Sequence, residues 1–84
     1  MTTEDKIIKI VTELRANQQN VRFTDLVKVC DYYFGDARQS ASSHNVYRTP
    51  WQGDPRVNIQ NKGGKAKPYQ VRQVLKAIDR KLGE

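Results

Sequence analysis

Apolar residues recur at the three- and four-residue spacing of an amphipathic helix in three segments of the chain. The first segment follows Thr2, which can cap a helix together with Asp5. The second is predicted to begin at a capping Thr24 and to end at Gly35. The third follows Pro68, a residue favoured in the first turn of a helix. The apolar stripes of the three predicted helices are Ile7, Ile10, Val11 and Leu14; Leu26, Val29, Cys30 and Tyr33; and Val71, Val74, Leu75, Ile78 and Leu82.

Between the second and third helices the pattern changes to the two-residue period of a strand. Val57 and Ile59 alternate with polar residues, which predicts a strand with one buried and one polar face. A second strand is predicted through "SSHNVYRTP" and a third over 36–42, and the Gly-Asp pair in "WQGD" predicts a hairpin turn. This order predicts an α+β domain: a three-stranded antiparallel sheet with helices on one face and the other face free for a ligand.

The length of 84 residues predicts a single domain over 1–84. The sequence contains no long apolar run of the kind that a signal peptide or a membrane span requires. We therefore expect a cytosolic protein without membrane contact. Cys30 is the only cysteine, which excludes an internal disulfide and a cysteine-based metal site. Its place in an apolar stripe predicts a buried thiol. We therefore expect neither a metal nor a cofactor.

Positive charge is concentrated in the second part of the chain. Residues 1–34 contain equal numbers of basic and acidic residues, whereas residues 35–84 carry the whole net charge of +6. A basic excess in one part of a small domain favours a polyanionic partner, with nucleic acid the leading candidate. The alternative is that basic residues only keep the domain soluble, and charge alone leaves both interpretations open.

Over residues 23–82 the chain resembles HicA, the small toxin of HicA–HicB toxin–antitoxin pairs. The similar segments are "FTDLVKVCDYYFG", "SSHNVYRTP", "DPRVNIQ" and "YQVRQVLKAI". Within them, Ser43 and His44 are similar to the end of the family's Gly-Ser-His motif, and the following "NVYR" is similar to the strand that leaves it. Ser42 stands where the family usually has glycine, and Asn45 stands where a second histidine often follows. Residues 1–20 form a helical extension beyond the family pattern.

The resemblance implies a fold similar to a double-stranded-RNA-binding domain, with the order helix, three strands, helix. It implies an endoribonuclease that cuts messenger RNA, uses the matching histidine, His44, in catalysis, and is held inactive by a cognate HicB-like antitoxin. The extension over residues 1–20 is then either an added core helix or a contact surface for a partner.

The chemistry of RNA cleavage suits these residues. RNA supplies its own nucleophile, the 2′-hydroxyl, so no metal ion is needed, and an imidazole can give or take a proton near neutral pH. We assign His44 as general acid or base, with the second proton passing through water, a tyrosine such as Tyr47, or a lysine. Tyr47 or Trp51 can stack on an unpaired base if its ring is exposed. The predicted RNA contacts are Ser43, Tyr47, Arg48, Arg56, Lys62, Lys65 and Lys67.

Strand alternation leaves the role of the histidine open. His44 and Val46 point to the same face of an ideal strand, so a core position for Val46 would turn His44 inward as well. His44 would then be a structural residue satisfied by hydrogen bonds. The alternative function is a non-catalytic nucleic-acid-binding module with such a histidine, and a third is a protein-interaction domain whose basic face binds an acidic partner.

Overall fold

Over the residues that the structure describes, three helices and four strands follow one another in the order α, α, β, β, β, β, α, so the predicted α+β class is confirmed. The computed structural model describes residues 2–35, 37, 39, 40, 44–49, 51 and 56–83, and for 39 and 40 it describes the backbone. The elements are α1 (Thr3–Ala16), α2 (Phe23–Phe34), β1 (Gln39–Ser40), β2 (His44–Tyr47), β3 (Val57–Lys62), β4 (Lys65–Ala66) and α3 (Pro68–Leu82).

The first and last helices begin where the sequence predicts. At the start of α1 the Thr2 hydroxyl accepts a hydrogen bond from the backbone N–H of Asp5 at 3.1 Å, and the Asp5 carboxylate accepts one from the Thr2 N–H at 3.4 Å. This reciprocal pair satisfies two amide groups that lack partners within the helix. Pro68 occupies the first turn of α3, where a missing N–H costs nothing.

The second helix begins earlier than predicted. Thr24 lies inside α2, which starts at Phe23 and has no side-chain cap at Arg22. The backbone N–H of Phe23 instead donates to the carbonyl of Gly64 at 3.0 Å, and Arg22 pairs with Lys65 in an isolated antiparallel bridge. The start of α2 is therefore set by contact with a distant hairpin, which local sequence does not reveal.

The sheet is antiparallel with strands in the order β1-β2-β3-β4. The three predicted strands are present, and β1 covers two residues of the predicted range 36–42. The central pair runs from His44 opposite Gln60 to Tyr47 opposite Val57. Within "WQGD", residues 52–54 lie outside the described residues, as does most of the remainder of 36–42.

The composition of "NKGGKAK" predicts a flexible basic loop. The structure instead has a hairpin there, formed by the end of β3 and the short strand β4. Gly63 and Gly64 both have positive φ angles, of 61° and 87°, and form a two-residue turn between β3 and β4. Such hairpin turns favour glycine because side chains disfavour this backbone region. Lys62 and Lys65 are thereby fixed opposite each other.

The helices cover one face of the sheet. Tyr47, Val57 and Ile59 are buried in one apolar core with residues of all three helices. Opposed residues of an antiparallel pair share a face and neighbours along a strand alternate, so His44 and Val46 point away from the helices. Val46 is buried but lies outside that core cluster. We call the helix-free side the outer face; its described strand residues are His44, Val46, Asn58, Gln60, Lys62 and Lys65.

Helix α1, which forms most of the extension over residues 1–20, packs into the same core. Its buried side chains Ile7, Val11 and Leu14 join the apolar cluster. At the surface, Arg15 forms a salt bridge of 2.6 Å with Asp79 on α3, and this guanidinium holds the pKa of the Asp79 carboxyl below its usual value. Of the two roles that the sequence left open for the extension, these contacts favour an added core helix.

Replacing Leu14 by alanine is therefore expected to destabilise the whole domain. Leu14 is 3% exposed, and truncating such a residue costs about 2–5 kcal/mol of unfolding free energy through lost burial and a new cavity. The control is Ile8→Ala on the same helix, where the side chain is 49% exposed and the expected change is within about 0.5 kcal/mol. Urea unfolding measures both; equal effects would show that α1 does not belong to the core.

Candidate nucleic-acid interface

His44 lies on the outer face at the start of β2, directly opposite Gln60. Its side chain is half-buried. Among the described residues no side chain or backbone group makes a hydrogen bond to the imidazole. The sequence left open whether His44 shares a core-facing side of β2 with Val46. The register of β2 and β3 shows that the two residues do share a face, and that this face points away from the helices. His44 therefore lies on the face of the sheet that the described helices do not cover.

Basic side chains lie at both ends of the strand pair that carries His44. Lys62 follows Gln60 by two residues, about 7 Å along β3, and is opposite Lys65. At the other end Arg48 follows β2 and Arg56 precedes β3, each about 13 Å along its strand from the level of His44. All four are exposed. An extended polyanion crossing His44 would meet positive charge on either side.

Two further predicted contacts have different outcomes. Lys67 is the residue before α3 and is partly exposed, adjoining the end of β4. Ser43 lies outside the described residues. Of the predicted cations, Lys62, Lys65 and Lys67 therefore group at the β3–β4 end of the sheet, while Arg48 and Arg56 group at the opposite end.

The predicted RNA contact at Tyr47 is wrong. Its ring is completely buried in the core, so it cannot stack on a base. Its hydroxyl donates a hydrogen bond to Asp31 on α2 at 2.8 Å and accepts one from the Asn45 amide at 3.3 Å. Burial raises the pKa of the Tyr47 hydroxyl well above its usual value. Because the residue is completely buried, it is also out of reach as the second proton carrier.

Trp51, the other predicted stacking residue, lines a cleft between the sheet and α3. The cleft has a volume of ≈ 340 Å³. The Arg80 guanidinium lies over the Trp51 ring, 4.3 Å from its centroid, in a cation–π contact. The indole N–H is buried and has no hydrogen-bond partner among the residues that the structure describes. Arg56 and Lys76 also line this cleft. Arg56 therefore lies close both to Arg48, which follows β2, and to helix α3.

The sequence missed a polar cluster beside His44. Strand β4 pairs with Asn61 and Lys62 but does not reach Gln60. The buried side chain of Gln70 lies there instead, and the Gln70 Oε1 accepts a hydrogen bond from the Gln60 backbone N–H at 2.7 Å. The Gln70 Nε2 donates to Gln60 Oε1 and to the Tyr69 hydroxyl, both at 3.3 Å. The only local signal is polar residues at a helix start, which is too common to predict this contact.

Other chemistry-bearing residues are arranged as follows. Cys30 is fully buried as predicted, and burial raises the pKa of its thiol. Within the described ranges, no three His, Cys, Asp or Glu side chains gather as a metal site would require. None of the described helices is long and apolar enough to cross a membrane.

Comparison of the chain with protein-family models, with curated proteins and with solved structures gives no match. The resemblance to HicA therefore rests on the residues of the chain itself.

Proposed function

We propose that the protein is a HicA-like endoribonuclease, the toxin of a toxin–antitoxin pair, which cuts messenger RNA without a metal ion and uses His44 as general acid or base. The observation that carries this proposal is the position of His44 on the outer face, half-buried, with Arg48 and Lys62 among the cations on either side of it. A phosphodiester held between those cations would lie beside the imidazole.

The cleavage needs one displacement and two proton transfers. The 2′-oxygen attacks the adjacent phosphorus and the 5′-oxygen leaves, which gives a 2′,3′-cyclic phosphate and a new 5′-hydroxyl. A base takes the 2′ proton and an acid supplies a proton to the leaving oxygen, and His44 performs one of these transfers. Because Tyr47 is buried, water or a lysine such as Lys62 handles the other. Nearby cations stabilise the charge that develops on the phosphoryl oxygens.

The element order supports the family resemblance. From α2 to α3 the chain runs helix, three strands, helix, with β4 as a two-residue addition. This is the order that the resemblance implies for a fold similar to a double-stranded-RNA-binding domain. His44, the histidine of the Ser-His pair, is the first residue of β2.

A non-catalytic RNA-binding module is the second candidate. It is favoured by the burial of Tyr47, which removes this tyrosine as a proton-transfer partner of His44, the only histidine of the chain. On this alternative the cations of the outer face bind RNA and no bond is broken. The two candidates share the binding surface and differ only in the fate of the RNA.

The toxin proposal includes a partner protein. A cognate HicB-like antitoxin would keep the nuclease inactive, and the basic outer face offers such a protein a surface that includes His44. Acidic side chains on the antitoxin would complement the cations of this face. Both messenger RNA and such a partner place the activity in the cytoplasm.

The experiment that tests the function is incubation of the purified protein with a long single-stranded RNA in EDTA. The proposal expects internal cuts whose upstream fragments end in a 2′,3′-cyclic phosphate. RNA that is bound but stays intact supports the non-catalytic module instead. RNA that is neither bound nor cut contradicts both candidates and leaves a protein-binding function.

Binding to single-stranded RNA is expected to weaken steeply with salt. If Arg48, Arg56, Lys62, Lys65 and Lys67 each neutralise one phosphate, the slope of log affinity against log salt is about −3.5, since each contact on a single strand contributes roughly −0.7. The double variant Lys62→Ala, Lys65→Ala is expected to reduce the slope to about −2.1. Fluorescence anisotropy at several salt concentrations measures these slopes.

The control for this prediction removes an equal charge elsewhere. Lys6 and Lys9 are exposed on α1, and the variant Lys6→Ala, Lys9→Ala is expected to keep the wild-type slope. If both double variants lower the slope equally, net charge rather than the outer face determines RNA binding.

A further inference from the structure

An exposed aromatic ring stands next to the outer face at the start of α3. Tyr69 is 49% exposed, although its hydroxyl accepts a hydrogen bond from the buried Gln70 amide. Exposed aromatic side chains that are tied at one end lose little conformational freedom when a ligand stacks on them. The Tyr69 ring is thus presented to solvent in a restrained position.

A continuous set of contacts joins this ring to His44. His44 is opposite Gln60 in the antiparallel pair, so their side chains share the outer face as direct neighbours. The Gln60 side chain accepts a hydrogen bond from Gln70, whose same nitrogen also donates to the Tyr69 hydroxyl. Gln70 in turn is anchored by the backbone N–H of Gln60. The Tyr69 hydroxyl is therefore two hydrogen bonds from the side chain that adjoins His44.

Two lysines lie close to this tyrosine along the chain. Lys67, two residues before Tyr69, immediately precedes α3, and the exposed Lys65 lies on β4. A nucleotide that stacks on Tyr69 can place its phosphate near these ammonium groups. Proteins commonly hold single-stranded nucleic acid by stacking its bases on aromatic rings and by pairing its phosphates with positively charged side chains.

We propose that Tyr69 is the stacking platform for an unpaired RNA base beside His44, held in position by Gln70 and Gln60. This rests on the proposed function, because the ligand is the RNA that His44 is proposed to cut. Tyr69 would then perform the base stacking that the sequence assigned to Tyr47 or Trp51. Bases within a duplex are already stacked on each other, so the site selects an unpaired nucleotide next to the scissile phosphate.

Binding of an RNA that cannot be cut tests the platform separately from catalysis. The probe is a short 2′-O-methyl RNA, in which the nucleophile is blocked. Tyr69→Ala is expected to weaken its binding by about 5- to 150-fold, the range that loss of one stacked base gives. Tyr69→Phe keeps the ring and loses the hydrogen bond from Gln70 that restrains it, so its loss of binding is expected to be smaller than that of Tyr69→Ala, because stacking itself needs only the aromatic face.

The matched control is Tyr32→Ala. Tyr32 is a 42% exposed tyrosine on α2, edge-on to Tyr33 at the helical side of the domain. We expect this variant to bind like the wild type. Equal losses for Tyr32→Ala and Tyr69→Ala, or unchanged binding by Tyr69→Ala, would overturn the proposal.

A series of probes with one abasic nucleotide each locates the stacked base. In the wild type one abasic position is expected to weaken binding as much as Tyr69→Ala does, and in Tyr69→Ala the same position is expected to cost nothing more. Separate additive losses would overturn the proposal. If the 2′-O-methyl probe depends on Tyr69 while native RNA is never cut, the nuclease function fails and the platform stands. If native RNA is cut with the same efficiency by Tyr69→Ala, the platform fails and the nuclease function stands.

Discussion

Replacing His44 by alanine is expected to slow RNA cleavage by about 10²- to 10⁴-fold, the usual contribution of one general acid or base. The loss follows from removing the only imidazole of the chain from the outer face. Because His44 is half-buried at the start of β2 and outside the apolar core, the variant is expected to fold and to bind RNA. Single-turnover cleavage with protein in excess measures the chemical rate without product release.

Asn58→Ala is the control for this substitution. Asn58 is exposed on the outer face, one strand away and opposite Val46. Its loss is expected to change the cleavage rate by less than about threefold, since it carries no group for proton transfer at neutral pH. If His44→Ala cleaves as fast as Asn58→Ala, His44 has no chemical role. A His44→Ala variant that fails to bind would assign the residue to binding instead.

Replacing Tyr47 by alanine is expected to lower the free energy of unfolding by about 3–5 kcal/mol, the cost of deleting a large buried aromatic side chain. Tyr47 is fully buried, and its hydroxyl is shared between Asp31 and Asn45. Tyr47→Phe removes only the hydroxyl and leaves the Asn45 amide without its acceptor on Tyr47. Its expected cost is about 1–3 kcal/mol. Urea unfolding followed by circular dichroism measures both variants.

RNA binding by Tyr47→Phe separates its structural role from a role at the interface. The variant is expected to bind and cleave RNA like the wild type at temperatures where it remains folded, because the hydroxyl faces α2 rather than the outer face. Reduced cleavage by a fully folded Tyr47→Phe would contradict this placement and return the tyrosine to proton transfer.

The helices were predictable because each carries a full apolar stripe. Over α1 and α3 the spacing of apolar residues indicates both the element and its buried side, and Thr2 and Pro68 mark the starts. Leu82, at the end of the predicted α3 stripe, is the exception, since it is 64% exposed. Strand β3 was equally clear, since Val57 and Ile59 alternate with polar residues and are both buried. In these elements local chemistry and burial agree, so sequence is sufficient.

Strand β2 was harder because apolar residues occur on both of its faces. Val46 and Tyr47 are neighbours, and either could have pointed to the core. Pairing with β3 decides between them: Tyr47 is opposite the buried Val57, whereas Val46 is opposite the exposed Asn58. A four-residue strand contains too few positions to fix its face, so the placement of His44 depended on contacts distant in sequence.

The Gln60–Gln70 contact could not have been predicted for a similar reason. It exists because β4 ends after two residues and leaves a backbone N–H of β3 for a side chain from α3. The composition of "NKGGKAK" suggests flexibility and hides the hairpin that sets this geometry. Tyr69 becomes a candidate only once Gln70 is known to join it to the residue opposite His44.

The most direct measurement is cleavage of one RNA oligonucleotide and its 2′-deoxy counterpart by the wild-type protein in EDTA. The proposed chemistry predicts that the RNA is cut to fragments ending in a 2′,3′-cyclic phosphate, while the deoxy counterpart is bound and remains intact because it lacks the nucleophile. Binding of both oligonucleotides with no cut in either would contradict the nuclease proposal and leave the outer face as a binding surface. Cleavage of both would contradict attack by the 2′-hydroxyl.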